Sequence, residues 1–288
     1  MLKTILKLMR PRQWVKNVIV FFALIFDKQL FHWQATLRTL AGFALFCLIS
    51  SAVYIFNDIA DIEADRQHPK KKFRPLPAGE LSVGVARSFG IGLLLVVLPL
   101  AYWLTPSFAA VLAVYFVMML AYTSRLKHIP ILDVMILAAG FVLRVQSGVT
   151  LISVERFSPW LYVITTLGAL YLGFGKRRAE LSLLEEGAKS HRRVLDGYTI
   201  PLLDQYITIV SGTTILAYSL YTFTAPNLPD NHAMMLTIPF VVYAIFRYLY
   251  LVQVSQVTGS PEEVLLTDRP LQISILLWGI VAMAVFYL

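Results

Sequence analysis

Apolar stretches of about 17 to 23 residues, each closed off by charge or proline, recur from one end of the chain to the other. A bilayer core about 30 Å thick is crossed by roughly 20 apolar helical residues. The pattern therefore predicts about nine transmembrane helices, over 15–31, 36–56, 83–104, 107–124, 131–151, 159–175, 202–224, 233–254 and 271–288. Pro106, Pro130, Pro159, Pro201 and Pro270 stand at the starts of these stretches or just before them, where a missing N–H costs a helix little. Asp27 and Lys28 interrupt the first stretch. The expected architecture is an all-α, polytopic membrane bundle forming a single domain over 1–288.

Composition turns this expectation into a requirement. With 58% hydrophobic residues, 15% charged residues and a mean hydropathy of +0.68, the chain needs lipid as solvent. The single cysteine, Cys47, lies within an apolar run, which excludes an intramolecular disulfide and gives no sign of a thiolate-held metal. Lys3, Lys7, Arg10, Arg12 and Lys16 crowd the N-terminus, which lacks the short apolar core and small-residue cleavage site of a secretory signal. Residues 1–14 read as a retained basic arm lying at the membrane interface.

Charge also predicts sidedness. Nineteen of the 25 Lys and Arg fall on the side that holds the N-terminus and the 57–82 and 176–200 loops, which places that side in the cytoplasm. Orientation accounts for the basic residues without any chemistry. It does not account for the carboxylates, which contribute little to topology, and fourteen of the seventeen Asp and Glu lie on that same side. Mixed charge gathered at one membrane face suits a site that binds anions through metal ions and basic side chains together. Nothing in the pattern points to nucleic acid.

The second apolar stretch runs directly into Asn57-Asp58-Ile59-Ala60-Asp61-Ile62-Glu63-Ala64-Asp65. On a continuing helix, positions 57/58, 61 and 65 share one stripe. Like charges stacked a turn apart repel, so the stripe asks for a cation. Mg²⁺, which takes hard oxygens and completes its shell with water and phosphate, is the expected one, with Asp58, Asp61 and Asp65 as its ligands. Such an ion can bridge a diphosphate and stabilise departing pyrophosphate. A solvated acidic helix end is the plain alternative.

Asn57-Asp58-x-x-Asp61-x-x-x-Asp65, together with Arg74-Pro75-Leu76-Pro77-Ala78-Gly79, resembles the first Asp-rich motif of the UbiA superfamily of intramembrane prenyltransferases. The resemblance covers nearly the whole chain, and it implies nine helices around a central cavity open to the cytoplasm. Arg10-Pro11-Arg12-Gln13-Trp14-Val15-Lys16-Asn17, Tyr122-Thr123-Ser124-Arg125-Leu126-Lys127, Asp133-Val134, Gly140-Phe141-Val142-Leu143-Arg144 and Gly175-Lys176-Arg177-Arg178-Ala179-Glu180 resemble one branch, the decaprenyl-phosphate phosphoribosyltransferases. That branch implies phosphoribosyl pyrophosphate as donor, a polyprenyl phosphate as acceptor, Mg²⁺ as cofactor, and a place in cell wall biosynthesis at the inner membrane of the cell.

The resemblance carries substrate-binding roles onto Lys16, Asn17, Asn57, Arg74, Tyr122, Arg125, Lys127, Asp133, Arg144, Lys176, Arg177, Arg192 and Asp196. A donor with a diphosphate and a 5-phosphate, meeting a lipid phosphate, needs many cations. Lys and Arg at helix ends can equally snorkel to the interface or oppose a helix dipole. Arg144 is different: about halfway down the fifth stretch, where a charge costs at least ~2.5 kcal/mol, it points to a wet cavity or a partner on another helix. Asp133 lies about 16 Å from it along a helix, too far to pair.

One departure from the superfamily pattern lies between the sixth and seventh stretches. Many members have a compact DxxxD motif there, whereas this chain reads His191-Arg192-Arg193-Val194-Leu195-Asp196-Gly197-Tyr198, with Glu180 upstream and Asp204 beyond. Gly197 and Pro201 disfavour a continuous helix joining Asp196 to Asp204. Asp196 is the candidate for a second metal ligand or a ribose-hydroxyl acceptor, and Asp204 for a helix-start residue. Two other functions remain in view: prenyl transfer from an isoprenyl diphosphate to an aromatic or other hydrophobic acceptor, and a non-enzymatic transporter, which would be expected to show an internal repeat. The apolar faces are compatible with a homo-oligomer.

Overall fold

The computed structural model describes residues 2–68, 71–153, 158–185, 193–226, 228–254 and 261–287, and all regular structure among them is helical. In chain order the α-helices are α1 (Leu2–Met9), α2 (Phe22–Phe26), α3 (Trp33–Ala60), α4 (Ile62–Gln67), α5 (Val83–Leu104), α6 (Pro106–Ser124), α7 (Leu132–Val149), α8 (Trp160–Glu185), α9 (Ile200–Thr224), α10 (Ile238–Gln253), α11 (Pro261–Thr267) and α12 (Arg269–Tyr287). Short 3₁₀ segments include Pro11–Phe21, Leu126–His128 and Arg193–Gly197. Among the described residues seven helices are long and apolar enough to cross a membrane, namely α3, α5, α6, α7, α9, α10 with the turn before it, and α12. The chain is a multi-pass membrane protein.

Two expected elements take a different form. The first stretch is a 3₁₀ segment followed by the five-residue α2, where one transmembrane helix was expected over 15–31. Pro11 starts the segment and Arg10 precedes it in a left-handed conformation (φ 53°). The segment packs backbone against backbone: a Cβ on Gly148 would lie 2.1 Å from the Val20 carbonyl oxygen. The sixth stretch continues well past residue 175. α8 runs 26 residues to Glu185, so Lys176, Arg177, Arg178 and Glu180 are helical where loop residues were expected.

The chain divides into two compact units. The first comprises Met1–Ile25, Gln29–His128 and Leu143–Val154. Its axis is α3, which is 61% buried over its most apolar window, against 17% for α5. Polar residues therefore stand inside α3 (Ser50, Ser51, Asp58), while α5 turns Leu95, Val96, Leu100 and Trp103 outward, as lipid permits. Phe46, Ile49 and Val53 of α3 pack with Val97 and Ala101 of α5, Phe108, Leu112 and Tyr115 of α6, and Leu151. Ser82 and Thr105 accept hydrogen bonds from the Val85 and Phe108 N–H groups, capping α5 and α6.

The second unit comprises Phe26–Lys28, Ile129–Val142 and Glu155–Leu288. Its core joins Val134 of α7 to Tyr171 and Phe174 of α8, Leu203 and Ile207 of α9, and Ile245, Tyr248 and Leu251 of α10. α8 approaches its neighbours at glycines: a Cβ on Gly173 would meet Val134 Cγ1 at 2.5 Å, and one on Gly175 would meet the Tyr248 ring at 2.9 Å. Thr199 caps α9 by accepting from the Leu202 N–H.

Candidate active site

The end of α3 sets the first group of residues. The helix closes at Asp61 (φ −99°, ψ 9°), yet the Asp61 N–H still donates to the Asn57 carbonyl at 3.0 Å and the Asp65 N–H to the Asp61 carbonyl at 2.8 Å. Helical spacing therefore survives from α3 into α4, and Asn57, Asp58, Asp61 and Asp65 keep to one stripe. Asp58 and Asp65 are buried, at 1% and 3% exposure, and the Asp61 side chain is about three-tenths exposed.

Each of these carboxylates meets a basic group. Arg10 Nη2 donates to Asp58 Oδ1. Arg74 Nη1 donates to the same Asp58 oxygen at 3.2 Å and to Asp65 Oδ2 at 2.5 Å, so a single guanidinium bridges two carboxylates. Lys71 Nζ stands 3.7 Å from Asp65 Oδ1, and Lys127 Nζ donates to Asp61 Oδ1 at 2.5 Å. Thr123 fixes Asn57 by donating to its Oδ1 at 3.1 Å. Arg10 was read as part of the basic arm and of the segment that resembles the phosphoribosyltransferase branch, without a role of its own; its guanidinium also lies over the Tyr54 ring, 5.2 Å from the centroid.

A divalent metal is the natural question for three carboxylates on one stripe. Among the described residues no three Asp, Glu, His or Cys side chains lie close enough together to hold one. The donor set is of the right kind, hard carboxylate oxygens at one helix end. The cation standing between Asp58 and Asp65 is a guanidinium, and a metal would have to take its place.

Deeper in the same unit, Arg144 is 6% exposed and Asn17 fully buried. Arg144 Nε donates to Asn17 Oδ1 at 2.9 Å and Nη2 to the Tyr115 hydroxyl at 3.0 Å, while the guanidinium lies over the Phe46 and Tyr115 rings. Asn17 Nδ2 in turn donates to Ser50 Oγ at 3.2 Å. The intramembrane charge thus has partners on the 3₁₀ segment, α3 and α6, an arrangement that holds those elements in register. Tyr122 is buried, Lys16 half-buried and Arg125 exposed.

The second unit holds its own polar group. Asp133 is completely buried and accepts from Arg177 Nε at 2.5 Å and from the Tyr198 hydroxyl at 2.7 Å. Arg177, 1% exposed, also donates to Glu180 at 2.7 Å. The Tyr198 oxygen accepts the Ile131 N–H at 2.5 Å, and Ile131 has φ 70°, a conformation rare for a β-branched residue. Burial first, and then its hydrogen bond to the Asp133 carboxylate, push the Tyr198 phenol well above its usual range. A Cβ on Gly197 would sit 2.3 Å from Pro130 Cγ, so this turn closes tightly on the start of α7. Asp133 and Arg177 form a buried pair to which Tyr198, just after the Arg193–Gly197 turn, is bonded, and Asp196 is exposed on that turn.

Sequence reasoning passed over Tyr198, although its neighbour Asp196 was singled out. Asp204 lies within α9, beyond the Thr199 cap, and accepts from Arg178 Nε at 2.6 Å and Gln253 at 3.2 Å. The helix breaks between Gly197 and Ile200, so Asp196 and Asp204 do not share a stripe. Lys176 is half-buried on α8. Arg192 lies outside the described residues.

Comparison with known proteins gives these groups a context. Residues 17–261 match the model of the UbiA prenyltransferase family. The chain is 33% identical to the decaprenyl-phosphate phosphoribosyltransferase of Mycolicibacterium smegmatis, over 98% of this chain and 92% of that protein. It is 33% identical to the enzyme of the same name from Corynebacterium glutamicum, over 98% and 86% of the two chains. In fold it is similar to a UbiA homologue from Archaeoglobus fulgidus bound to GPP and Mg²⁺, with a TM-score of 0.73, 18% identity, and coverage of 99% of this chain and all of the other.

Proposed function

The chain belongs to the UbiA prenyltransferase family, and from that premise we propose that it transfers a 5-phosphoribosyl group from phosphoribosyl pyrophosphate to a polyprenyl phosphate in a Mg²⁺-dependent reaction, releasing pyrophosphate. The observation that carries this reading is the near-full-length similarity to decaprenyl-phosphate phosphoribosyltransferases. The density of cations agrees with it. Arg10, Arg74, Lys71 and Lys127 stand at the aspartate stripe. An isoprenyl diphosphate asks for fewer charges.

In this proposal Asp58, Asp61 and Asp65 would hold Mg²⁺, which supplies charge neutralisation for the departing diphosphate when bound. Asn57, held by Thr123, assists at the same helix end. Arg74 and Lys127 orient the donor phosphates, and Arg125 and Lys16 extend the basic ring toward the 5-phosphate and the lipid phosphate. An oxygen of the lipid phosphate attacks the ribose anomeric carbon as its bond to the pyrophosphate oxygen breaks. The attacking group is already anionic, so no strong general base is required, and positioning together with charge stabilisation does the work. By the charge count the reaction faces the cytoplasm of a cell membrane, with residues 1–14 as the interfacial arm and the 57–82 segment at the site.

Prenyl transfer to an aromatic acceptor is the competing activity within the family. Purified protein supplied with labelled phosphoribosyl pyrophosphate and polyprenyl phosphate is expected to form a labelled lipid. The same protein given an isoprenyl diphosphate and aromatic acids is expected to form none. The reverse outcome would overturn the donor assignment.

A further inference from the structure

The aspartate stripe is already neutralised by protein. Arg10 and Lys127 each donate to one of its carboxylates, and Arg74 bridges the two buried ones. A free divalent cation arriving there gains little while these partners stay, because it must displace a charge-assisted hydrogen bond for every carboxylate oxygen it takes. The partners are not equally able to leave. Arg10 is fixed by its left-handed backbone at the head of the 3₁₀ segment and by the Tyr54 ring beneath it. Arg74 is anchored through its backbone segment, where Leu76, 1% exposed, is buried with Leu8, Ile55 and Ala86 and Lys7 Nζ donates to the Phe73 carbonyl at 2.9 Å, while its side chain is held by the two carboxylates it bridges. The Arg74 side chain, about a quarter exposed, can turn away without its segment unfolding.

Resting on the metal reading above, we propose that metal loading in this protein is an exchange of cations: Arg74 is the resident cation of the Asp58/Asp65 pair, gives up that place to the divalent ion, and becomes the guanidinium that meets the donor diphosphate. The two events are then linked. Released Arg74 is an unpaired cation beside a bound metal until an anionic diphosphate arrives, so metal and donor each favour the other. Arg74 is thereby a residue that keeps free metal off the stripe, besides orienting donor.

The exchange can be read without any turnover. Purified protein in nanodiscs, with no diphosphate present, is titrated with Mn²⁺, and the free ion is measured by electron paramagnetic resonance. Arg74→Gln is expected to tighten Mn²⁺ binding on the order of tenfold, the effect of removing one adjacent like charge. Arg74→Lys is expected to stay close to the wild type, and Asp58→Asn in the Arg74→Gln background to lose the gain. If Arg74→Gln binds Mn²⁺ no more tightly than the wild type while Asp58→Asn weakens it, the exchange is overturned and the metal reading stands. If no substitution moves Mn²⁺ affinity, the stripe is not a metal site and both fail. A measurement on unmodified protein guards against a variant that does not fold. The rate at which phenylglyoxal modifies Arg74, followed by mass spectrometry, is expected to rise when Mn²⁺ is added, and an unchanged rate would overturn the exchange.

Discussion

Asp58 is where burial, charge and proposed chemistry coincide. It is almost fully enclosed, lies between two guanidiniums, and starts the stripe on which the metal reading depends. Asp58→Asn or Asp61→Asn keeps the side-chain shape and removes the charge. Each is expected to lower turnover by about a hundredfold or more, the scale of losing a group that stabilises developing charge. The folded protein should still elute as a single species on size exclusion, and near-wild-type turnover in either variant would remove that residue from the proposed site.

Tyr198 yields a prediction of another kind. Its phenol is raised by burial and by its bond to Asp133, so the folded state holds the proton more tightly than the unfolded chain does. Its stabilising contribution is complete below the ordinary tyrosine value of about 10 and is lost as pH rises above it. Tyr198→Phe is expected to cost about 1–3 kcal/mol at neutral pH, since Asp133 and the Ile131 N–H both lose a partner. It should also flatten the fall of melting temperature between about pH 10 and 11. A variant that melts like the wild type across that range would show that Tyr198 is not the clamp. No spacing rule in the sequence revealed this residue, because its partners lie 65 and 67 positions away.

At the scale of elements, the long helices were legible because apolar length is a strong signal, and the aspartate stripe because helical spacing was carried through Asp61 by main-chain hydrogen bonds. The 3₁₀ form of Pro11–Phe21 was not legible. It depends on Gly148 allowing a carbonyl to approach, and that is a contact between elements more than a hundred positions apart. Gly148→Ala would place a methyl 2.1 Å from the Val20 oxygen and is expected to destabilise by about 1–3 kcal/mol. Gly84→Ala on α5, with nothing within 4 Å of the added carbon, is the matched control and should leave the melting temperature unchanged or slightly raised. Equal melting temperatures for wild type and Gly148→Ala would contradict the close approach. The extension of α8 beyond residue 175 was missed for a plain reason: charge marks where a helix leaves lipid, and the helix itself continues.

Across the whole molecule, composition was sufficient to require a membrane and charge sufficient to predict an orientation. Side-chain pairing within the polar groups was beyond both: Arg177 is held by buried Asp133, and Arg178 by Asp204. With Cys47 replaced by Ser, cysteines at Glu80 and Asp230, both exposed, should separate the two membrane faces. Asp230→Cys is expected to react with an impermeant maleimide added to intact cells and Glu80→Cys only after lysis; the opposite result would invert the orientation.

The central claim joins a reaction to a place, the aspartate stripe. Its most direct test is pyrophosphate release by purified protein supplied with phosphoribosyl pyrophosphate and polyprenyl phosphate. The account predicts one pyrophosphate for each phosphoribosylated lipid, silenced by EDTA, restored by Mg²⁺, and lowered by about a hundredfold or more in Asp61→Asn. Lipid product formed at the full rate in EDTA, or by Asp61→Asn, would contradict it.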